Sequence, residues 1–297
     1  MTADILLLIT AVIWGFAFVA QRMGMDHMGP LTFNAIRFSL GALVLTPILL
    51  FQKIKASSAV SLPGKKFTLP VLITGLVLFL GASLQQVGIV GTTAGKAGFI
   101  TGLYVILVPL LALLWGSRTH TAHWIGAVLA VGGLYLLSVR GDLTISPYDL
   151  IILVGAFIWA VHVHLIAKYS GQVGPIRLSI FQFAICGMMS FIGALLFETI
   201  SLAGILSGWG PIFYGSFLSV GLAYTLQVVA QRTANPSHAV IILSLEGAFA
   251  ALGGWLVLQE VLSMRDLVGC GLMFTGMLVS QFFGRPRKKT LPIPTGI

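Results

Sequence analysis

Stretches of about 20 apolar residues recur along this 297-residue chain, and they limit what it can fold into. Each is long enough to cross a hydrocarbon core of about 30 Å as an α-helix. Hydrophobic residues make up 57% of the chain and charged residues only 8%, whereas about a quarter of a soluble protein is charged. The mean hydropathy is +1.01. We therefore expect an all-α integral membrane protein.

Ten spans can be placed between short connecting segments. They cover residues 4–22, 30–51, 68–89, 95–115, 122–139, 148–168, 175–198, 211–231, 237–258 and 265–283. Short connections predict that successive helices are antiparallel neighbours. The first span follows no basic region and no convincing cleavage site, so we expect it to be retained rather than removed as a signal peptide.

The two halves of the chain resemble each other at an interval of about 143 residues. The matched pairs are Trp14 with Trp159, Leu84-Gln85 with Leu226-Gln227, Leu103 with Leu245, Gly126 with Gly269, and Gly133 with Gly276. Each half holds five spans, and an odd number turns the second copy upside down in the membrane. This pattern is typical of alternating-access carriers. It predicts two inverted five-helix repeats around a central cavity, residues 1–140 and 146–284, followed by a basic cytoplasmic tail, residues 285–297.

Lys and Arg are distributed unevenly between the two sides of the predicted bundle. Twelve lie in segments on the side of the N-terminus, and three, Arg22, Arg140 and Arg265, lie on the opposite side. Because positive residues are enriched on the cytoplasmic side, both termini are predicted to be cytoplasmic, in a multi-pass protein of the cell (cytoplasmic or inner) membrane.

The net charge of +9 is concentrated in two patches, Lys53/Lys55/Lys65/Lys66 and Arg285/Arg287/Lys288/Lys289. No aromatic residues alternate with them as they would in a groove for single-stranded nucleic acid. We interpret them as topology signals and contacts to anionic lipids, with a plain solvated loop and tail as the alternative. No nucleic-acid partner is expected.

Signatures of catalysis and metal binding are missing. Cys186 and Cys270 lie within apolar spans, so neither a disulfide nor a metal site is expected. The segment Gly91–Ala97 has the wrong spacing for a phosphate-binding loop, which excludes ATP-driven transport by this chain alone. His120 and His123 lack further ligands, so a zinc site there has little support. We expect no enzymatic activity and no cofactor.

A charged residue at mid-bilayer costs at least about 2.5–3.5 kcal/mol on insertion scales, so each one is a functional candidate. Glu246, a third of the way along the ninth span, is the sharpest. Removal from water favours the protonated form of a carboxyl group, which suits proton coupling or cation binding. A protonated or helix-capping carboxyl that only steadies packing is the alternative. Glu198 and Glu260 lie at helix ends and are interpreted as ordinary interface residues.

Lys96 and its repeat equivalent, His238, begin the fourth and ninth spans after helix-breaking segments. Helix N-termini suit anionic groups, so Lys96 could hold a substrate carboxylate, although a lysine that extends to the membrane interface explains it as well. Arg37 in the second span matches Gln182. We favour a buried, hydrogen-bonded structural role for Arg37 over ligand contact, because buried charges in lipid need fixed partners.

Polar and aromatic side chains complete a predicted solute cavity. Gln85 and Gln227 supply amides, and His162 lies either at the cavity or in a satisfied structural contact, which is the favoured alternative. His164 points to a different face of the same helix, so the two histidines do not share a metal. An aromatic wall would suit an amphipathic or aromatic solute. Its predicted members are Trp14, Tyr104, Trp159, Tyr224 and Trp255.

At these motifs the chain resembles the ten-helix EamA-type exporters of the drug/metabolite transporter superfamily. The matching stretches are VIWGFAF, NAIRFSLGAL, KAGFITGLYVILVPLLALL and SLEGAFAALGGWLVLQEVLSMRDLVGCGLMFTGMLVS. The likeness covers nearly the whole chain, and the last stretch is the most specific. Glu246-Gly247 stands where the family usually has Glu-Pro, so glycine would have to supply the kink. Gly116-Ser117 replaces a Gly-Glu, while Glu260 is retained.

The resemblance implies a secondary transporter that exports amino acids or related metabolites. Spans 1, 3, 4, 6, 8 and 9 would enclose the cavity, with 5 and 10 at the back or at a homodimer contact. We predict alternating access around a site formed by Glu246, Gln85, Gln227, Tyr104 and Trp159, with proton coupling if Glu246 binds a proton. An uncoupled facilitator and a lipid-translocating protein of the same fold are the alternatives.

Overall fold

The computed structural model of the chain describes residues 2–56, 65–114, 116, 119–138, 146–259 and 263–283. For residues 52–56, 65, 66 and 266 it describes the backbone only. Several residues weighed above lie outside the described ranges: Ser117, Arg118, Arg140, Glu260 and the whole basic tail. Within those ranges every regular element is a helix, as the composition predicts.

The main helices follow the predicted spans closely. They are α1 (Thr2–Gly24), α2 (Pro30–Ala56), α3 (Lys65–Val90), α4 (Ala94–Leu114), α5 (Thr121–Ser138), α6 (Pro147–Val173), α7 (Pro175–Phe197), α8 (Trp209–Gln231), α9 (Pro236–Leu258) and α10 (Met264–Phe283). Among the described residues, eight helices are long and apolar enough to cross a membrane, namely α1–α4 and α6–α9. The apolar parts of α5 and α10 are shorter, Thr121–Leu136 and Leu267–Phe283. One further short helix, Leu202–Ser207, precedes α8.

Helices α4 and α9 are each interrupted near the middle. The Leu103 amide donates to the Ile100 carbonyl at 3.2 Å, and the Leu245 amide donates to the Ile242 carbonyl at the same distance. These bonds are tighter than α-helical ones and mark a change of helix geometry. The two interruptions fall at matched positions of the halves. They place Tyr104 and Glu246 at the start of the second segment of each helix.

Glycine lets α9 lie against α5 just after its interruption. A methyl group on Gly247 would come within 2.7 Å of a Leu134 methyl group. The interruption of α9 thus lies beside the position where the related pattern carries proline, and the crowded contact that follows it needs a residue without a side chain.

The helices pack in pairs around one centre. Helix α2 packs on α7, α3 on α6 and α5 on α10, while α1 contacts both α8 and α9, and α4 contacts α6. The outer surface is apolar, with side chains such as Leu114 and Phe197 about 80% exposed. Such extensive exposed apolar surface suits hydrocarbon rather than water. Many polar side chains are instead buried, and several of them meet at the centre.

Candidate central cavity

A narrow cavity lies between α1, α2, α3, α4, α6, α8 and α9. Its volume is about 30 Å³, which leaves room for a few water molecules and excludes an organic solute in this conformation. Seven of the predicted site residues line it: Trp14, Arg37, Gln85, Tyr104, Trp159, Gln227 and Glu246. The structure thus brings together side chains that are up to about 230 residues apart in the sequence.

Glu246 and Tyr104 meet in this cavity. The Tyr104 hydroxyl donates a hydrogen bond to Glu246 Oε1 at 2.9 Å, and Glu246 is only 3% exposed. Their positions match between the halves, so this bond joins the two helix interruptions. No Lys, Arg or His among the described residues forms an ion pair with Glu246. A buried carboxyl group without a cationic partner is able to bind a proton or the cationic group of a solute.

A chain of side-chain hydrogen bonds crosses the cavity wall. Gln85 Nε2 donates to Gln21 Oε1 at 3.0 Å, and Trp159 Nε1 donates to Gln85 Oε1 at 2.9 Å. These bonds link α1, α3 and α6 and fix the orientation of the Gln85 amide. Gln21 therefore positions Gln85 and, through it, Trp159, both of which were predicted for the site. Gln21 itself was not predicted from the sequence.

Four of the five aromatic residues predicted for the wall line the cavity, namely Trp14, Tyr104, Trp159 and Tyr224. Trp14 donates from Nε1 to the Ser219 carbonyl at 3.3 Å and packs edge-on against Tyr224 at 4.6 Å. That carbonyl belongs to a π-helical part of α8, Tyr214–Tyr224, a wide helical form that often occurs at functional sites. Trp255 is not part of the wall, because it is 49% exposed on the outer surface.

Two polar atoms of the cavity lining lack hydrogen-bond partners in the described part of the chain. They are Gln227 Oε1 and Thr101 Oγ1, and both residues are almost fully buried. An unsatisfied buried polar atom costs about 1–3 kcal/mol, so such atoms call for a ligand or water that completes them. The cavity therefore has polar capacity that the described protein groups leave unused.

Lys96 and His162 lie outside the cavity. Lys96 lines a separate open pocket of about 750 Å³, at the face where α1 and α3 end and α4 and α6 begin. Its Nζ lies 2.6 Å from Asp149 Oδ2. His162 is fully buried behind Trp159, with Nε2 3.0 Å from Gln182 Oε1 and with Nδ1 lacking a hydrogen-bond partner among the described residues.

A second polar cluster lies at the opposite face, where α1 begins. His238 Nε2 lies 3.0 Å from Asp4 Oδ1, and its Nδ1 lies 3.0 Å from Ser280 Oγ. His123 Nδ1 approaches the same hydroxyl at 2.8 Å. In the described ranges, no three His, Cys, Asp or Glu side chains are grouped as a metal site would require.

The remaining lining residues are Phe18, Gln21, Thr101, Val163, Ser219, Tyr224 and Leu243. Tyr224 was predicted for the aromatic wall, and Gln21 is visible as an amide at the end of an apolar span. Thr101 and Ser219 carry no sequence signal, because a hydroxyl can bond its own helix backbone anywhere in a membrane helix.

Membrane-length helices that surround a narrow cavity with polar and aromatic walls define a helical membrane protein of transporter type. The chain belongs to the EamA-like transporter family, whose sequence model matches it twice, at residues 1–139 and 146–282. The resemblance drawn from the motifs is confirmed.

Several relatives match over nearly their full length. An uncharacterized transporter of Archaeoglobus fulgidus is 31% identical over 282 residues, 93% of this chain and 85% of the relative. A protein of Escherichia coli named probable amino-acid metabolite efflux pump is 25% identical and covers 96% of each chain. The uncharacterized inner membrane transporter YedA of Escherichia coli is 24% identical, over 91% of this chain and 87% of its own length.

A solved crystal structure has the same overall fold. It superposes with a TM-score of 0.78 at 20% sequence identity and covers 95% of this chain and 97% of the other. At this identity the likeness supports the arrangement of helices and carries no information about the solute.

Proposed function

We propose that the protein is a secondary transporter that exports a small organic solute, an amino acid or related metabolite, by alternating access. The observation that carries the proposal is the narrow central cavity that contains Glu246 without a cationic partner among the described residues. The relative named as an amino-acid metabolite efflux pump supports the class of solute.

The helix contacts support two inverted five-helix repeats, residues 1–140 and 146–284. In such a repeat, α1 to α5 correspond in order to α6 to α10. Exchanging corresponding helices turns the α3–α6 contact into the α8–α1 contact and the α1–α9 contact into the α6–α4 contact, and all four contacts are present. The contacts α2–α7 and α5–α10 convert into themselves. A two-fold relation between the halves accounts for this pattern, as it does in symmetric dimers.

The glycines of α5 and α10 support the same relation at atomic scale. A methyl group on Gly126 would come within 2.7 Å of the Gly276 carbonyl oxygen, and Gly133 approaches the Gly269 carbonyl in the same manner. Because Gly126 matches Gly269 and Gly133 matches Gly276, exchanging the halves turns one contact into the other.

Two hydrogen-bonded side-chain pairs at opposite faces, each with an aspartate and a basic residue, suit the gates of an alternating-access carrier. Asp149 matches Asp4 at the same interval that separates Trp159 from Trp14, and Lys96 matches His238. The pair Lys96–Asp149 joins the starts of α4 and α6, and the pair His238–Asp4 joins the starts of α9 and α1. We propose that the pathway opens at one face when its pair separates while the other pair holds.

The distribution of Lys and Arg supports placing the face with Asp4 and His238 in the cytoplasm, together with both termini. Export would then begin at that face. Coupling to protons would pass through Glu246, because protonation changes the charge of the cavity that the solute enters.

Reconstituted transport tests this proposal. The purified protein in proteoliposomes is loaded with a panel of amino acids and related metabolites, and counterflow is measured with and without a pH gradient. Protein-free liposomes are the control. Movement of at least one solute above the control supports secondary transport, and a pH response supports coupling. If no solute moves under any gradient, the proposed function is wrong.

A further inference from the structure

Arg37 carries a positive charge that the described protein does not neutralise. It is 2% exposed, and in the ranges the structure describes its single hydrogen bond runs from Nε to Asn34 Oδ1 at 2.9 Å. Its guanidinium carbon also lies 4.9 Å from the ring centre of Phe38 and 5.4 Å from that of Phe33. No described carboxylate lies within ion-pair distance of it.

The surroundings of Arg37 hold its guanidinium in one orientation. Asn34, which accepts from Nε, donates from Nδ2 to the Ala82 carbonyl of α3 at 3.1 Å. A methyl group on Gly215 would touch the Arg37 stem at 3.4 Å, so α8 packs closely against it. With Nε engaged, the two terminal nitrogens have no bonded partner among the described residues. A guanidinium held in this way is prepared to bind a carboxylate through two parallel hydrogen bonds.

Among the described residues, the structural role favoured from the sequence has one hydrogen-bond partner, Asn34, which leaves the two terminal nitrogens and the positive charge unmatched. An arginine buried at the centre of a membrane protein normally pairs with an acidic group or lies in a functional cavity. Aromatic rings attract the cation but do not neutralise its charge. Arg37 lines the same cavity as Glu246, and the two form no ion pair with each other.

Building on the proposed function, we propose that the cavity recognises its solute as a zwitterion: Arg37 binds the α-carboxylate and Glu246 binds the α-amino group. The unpartnered Gln227 Oε1 supplies a further acceptor for the ammonium protons. Trp14 and Tyr224 receive the apolar part of the solute. A charged group at each end of the solute would complete a site in which the described protein residues give neither Arg37 nor Glu246 an oppositely charged partner.

Matched solutes and matched variants test the assignment. The solutes are L-phenylalanine, L-leucine and L-threonine, each compared with the amine that lacks its carboxylate, and 3-phenylpropionate, which lacks the amino group. Binding is measured as ligand-induced thermal stabilisation of the full-length protein in detergent, and transport as counterflow in proteoliposomes. The variants are Arg37→Lys and Arg37→Gln, with Arg177→Gln as the control because Arg177 is exposed on α7.

We expect the wild type to prefer at least one amino acid over its amine by about tenfold or more, since a site built to hydrogen-bond a group rejects an analogue without it. Arg37→Gln should bring that ratio close to one, Arg37→Lys should retain part of it, and Arg177→Gln should leave it unchanged. An equal loss of affinity for amino acid and amine in Arg37→Gln would make Arg37 structural and overturn the assignment.

Failure of this inference can be told apart from failure of the transport proposal. Binding that depends on the carboxylate, without counterflow, would reject transport and retain the role of Arg37. Counterflow of amines and amino acids at equal rates by the wild type would retain transport and reject the role of Arg37. This comparison uses the wild type alone, so it does not depend on the folding of a variant. If none of the three amino acids binds, the zwitterion site is wrong.

Discussion

At the scale of single residues, Glu246 is the side chain whose binding of a proton or a cationic group depends most directly on its burial in the cavity. Glu246→Gln keeps the shape of the side chain and its bond from Tyr104 but removes the titratable proton. We expect the variant to move solute more slowly, because a neutral amide binds an amino group less well, and at a rate that no longer responds to a pH gradient, whereas the wild type responds. Initial rates of counterflow with and without a gradient measure the difference. Asp26→Asn, which neutralises an exposed carboxyl group, is the control.

An unchanged pH response in Glu246→Gln would remove Glu246 from proton coupling. Absence of a response in the wild type as well would favour an uncoupled facilitator. Neither result depends on the role of Arg37, since both are obtained with a single solute.

Most lining residues whose burial in a membrane is costly stand out in the sequence, with Gln21 as the exception, whereas lining residues whose burial costs little do not. Glu246, Gln85, Gln227 and Arg37 stand out in apolar spans, and all four line the cavity. Thr101 does not stand out, because a threonine in a membrane helix needs no special environment. The position of Lys96 could not be predicted, because its ion pair with Asp149 joins two helices whose approach is a tertiary property.

At the scale of helices, α5 and α10 depend on close backbone contact. We expect Gly276→Ala to lower the free energy of unfolding by about 1–3 kcal/mol, since its methyl group would lie 2.6 Å from the Gly126 carbonyl oxygen. Gly271→Ala on the same helix is the matched control, because nothing lies within 4 Å of its methyl position. Thermal unfolding in detergent measures both variants. Equal midpoints would show that this contact does not stabilise the fold.

Glu198 is more than the ordinary interface residue expected from its position at a helix end. Its carboxylate accepts from the Leu31 amide at 2.7 Å and from the Thr32 amide and hydroxyl at 2.8 and 2.7 Å. It thereby caps the start of α2, where amides lack partners and negative charge is favoured. The sequence could not reveal this, because the cap and the capped helix are 166 residues apart.

The capping role makes a prediction about stability. Glu198→Ala should lower the free energy of unfolding by about 1–2 kcal/mol, as loss of an N-cap typically does, and Glu198→Gln should lose less because an amide oxygen still accepts. Unfolding midpoints of the two variants in detergent provide the test. An alanine variant as stable as the glutamine variant would contradict the capping role.

At the scale of the whole molecule, comparing the two halves identifies both the packing residues that they share and the side-chain pairs in which they differ. The sequence indicates that the halves pack their helices in a similar way, because residues at matched packing positions, such as Gly126 and Gly269, are identical. The sites that distinguish the two faces are visible only when the chain is folded. Lys96–Asp149 and His238–Asp4 then occupy equivalent positions at opposite faces, with a lysine in one pair and a histidine in the other.

If these pairs are gates, their loss should have opposite effects on the two faces. Weakening an ion pair by about 1 kcal/mol changes a conformational population roughly fivefold.

A thiol-labelling experiment tests this expectation. Cys186 and Cys270 are replaced by Ala, Ser219→Cys is introduced in the cavity wall, and a membrane-impermeant thiol reagent is applied to one face at a time. Lys96→Gln should speed labelling from the face where α1 ends, and His238→Gln should speed it from the face where α1 begins. Faster labelling from the same face in both variants would mean that the pairs do not act as opposed gates. Opposite effects would link the symmetry of the chain to the direction in which its cavity opens, because two equivalent contacts in inverted halves cannot favour the same face.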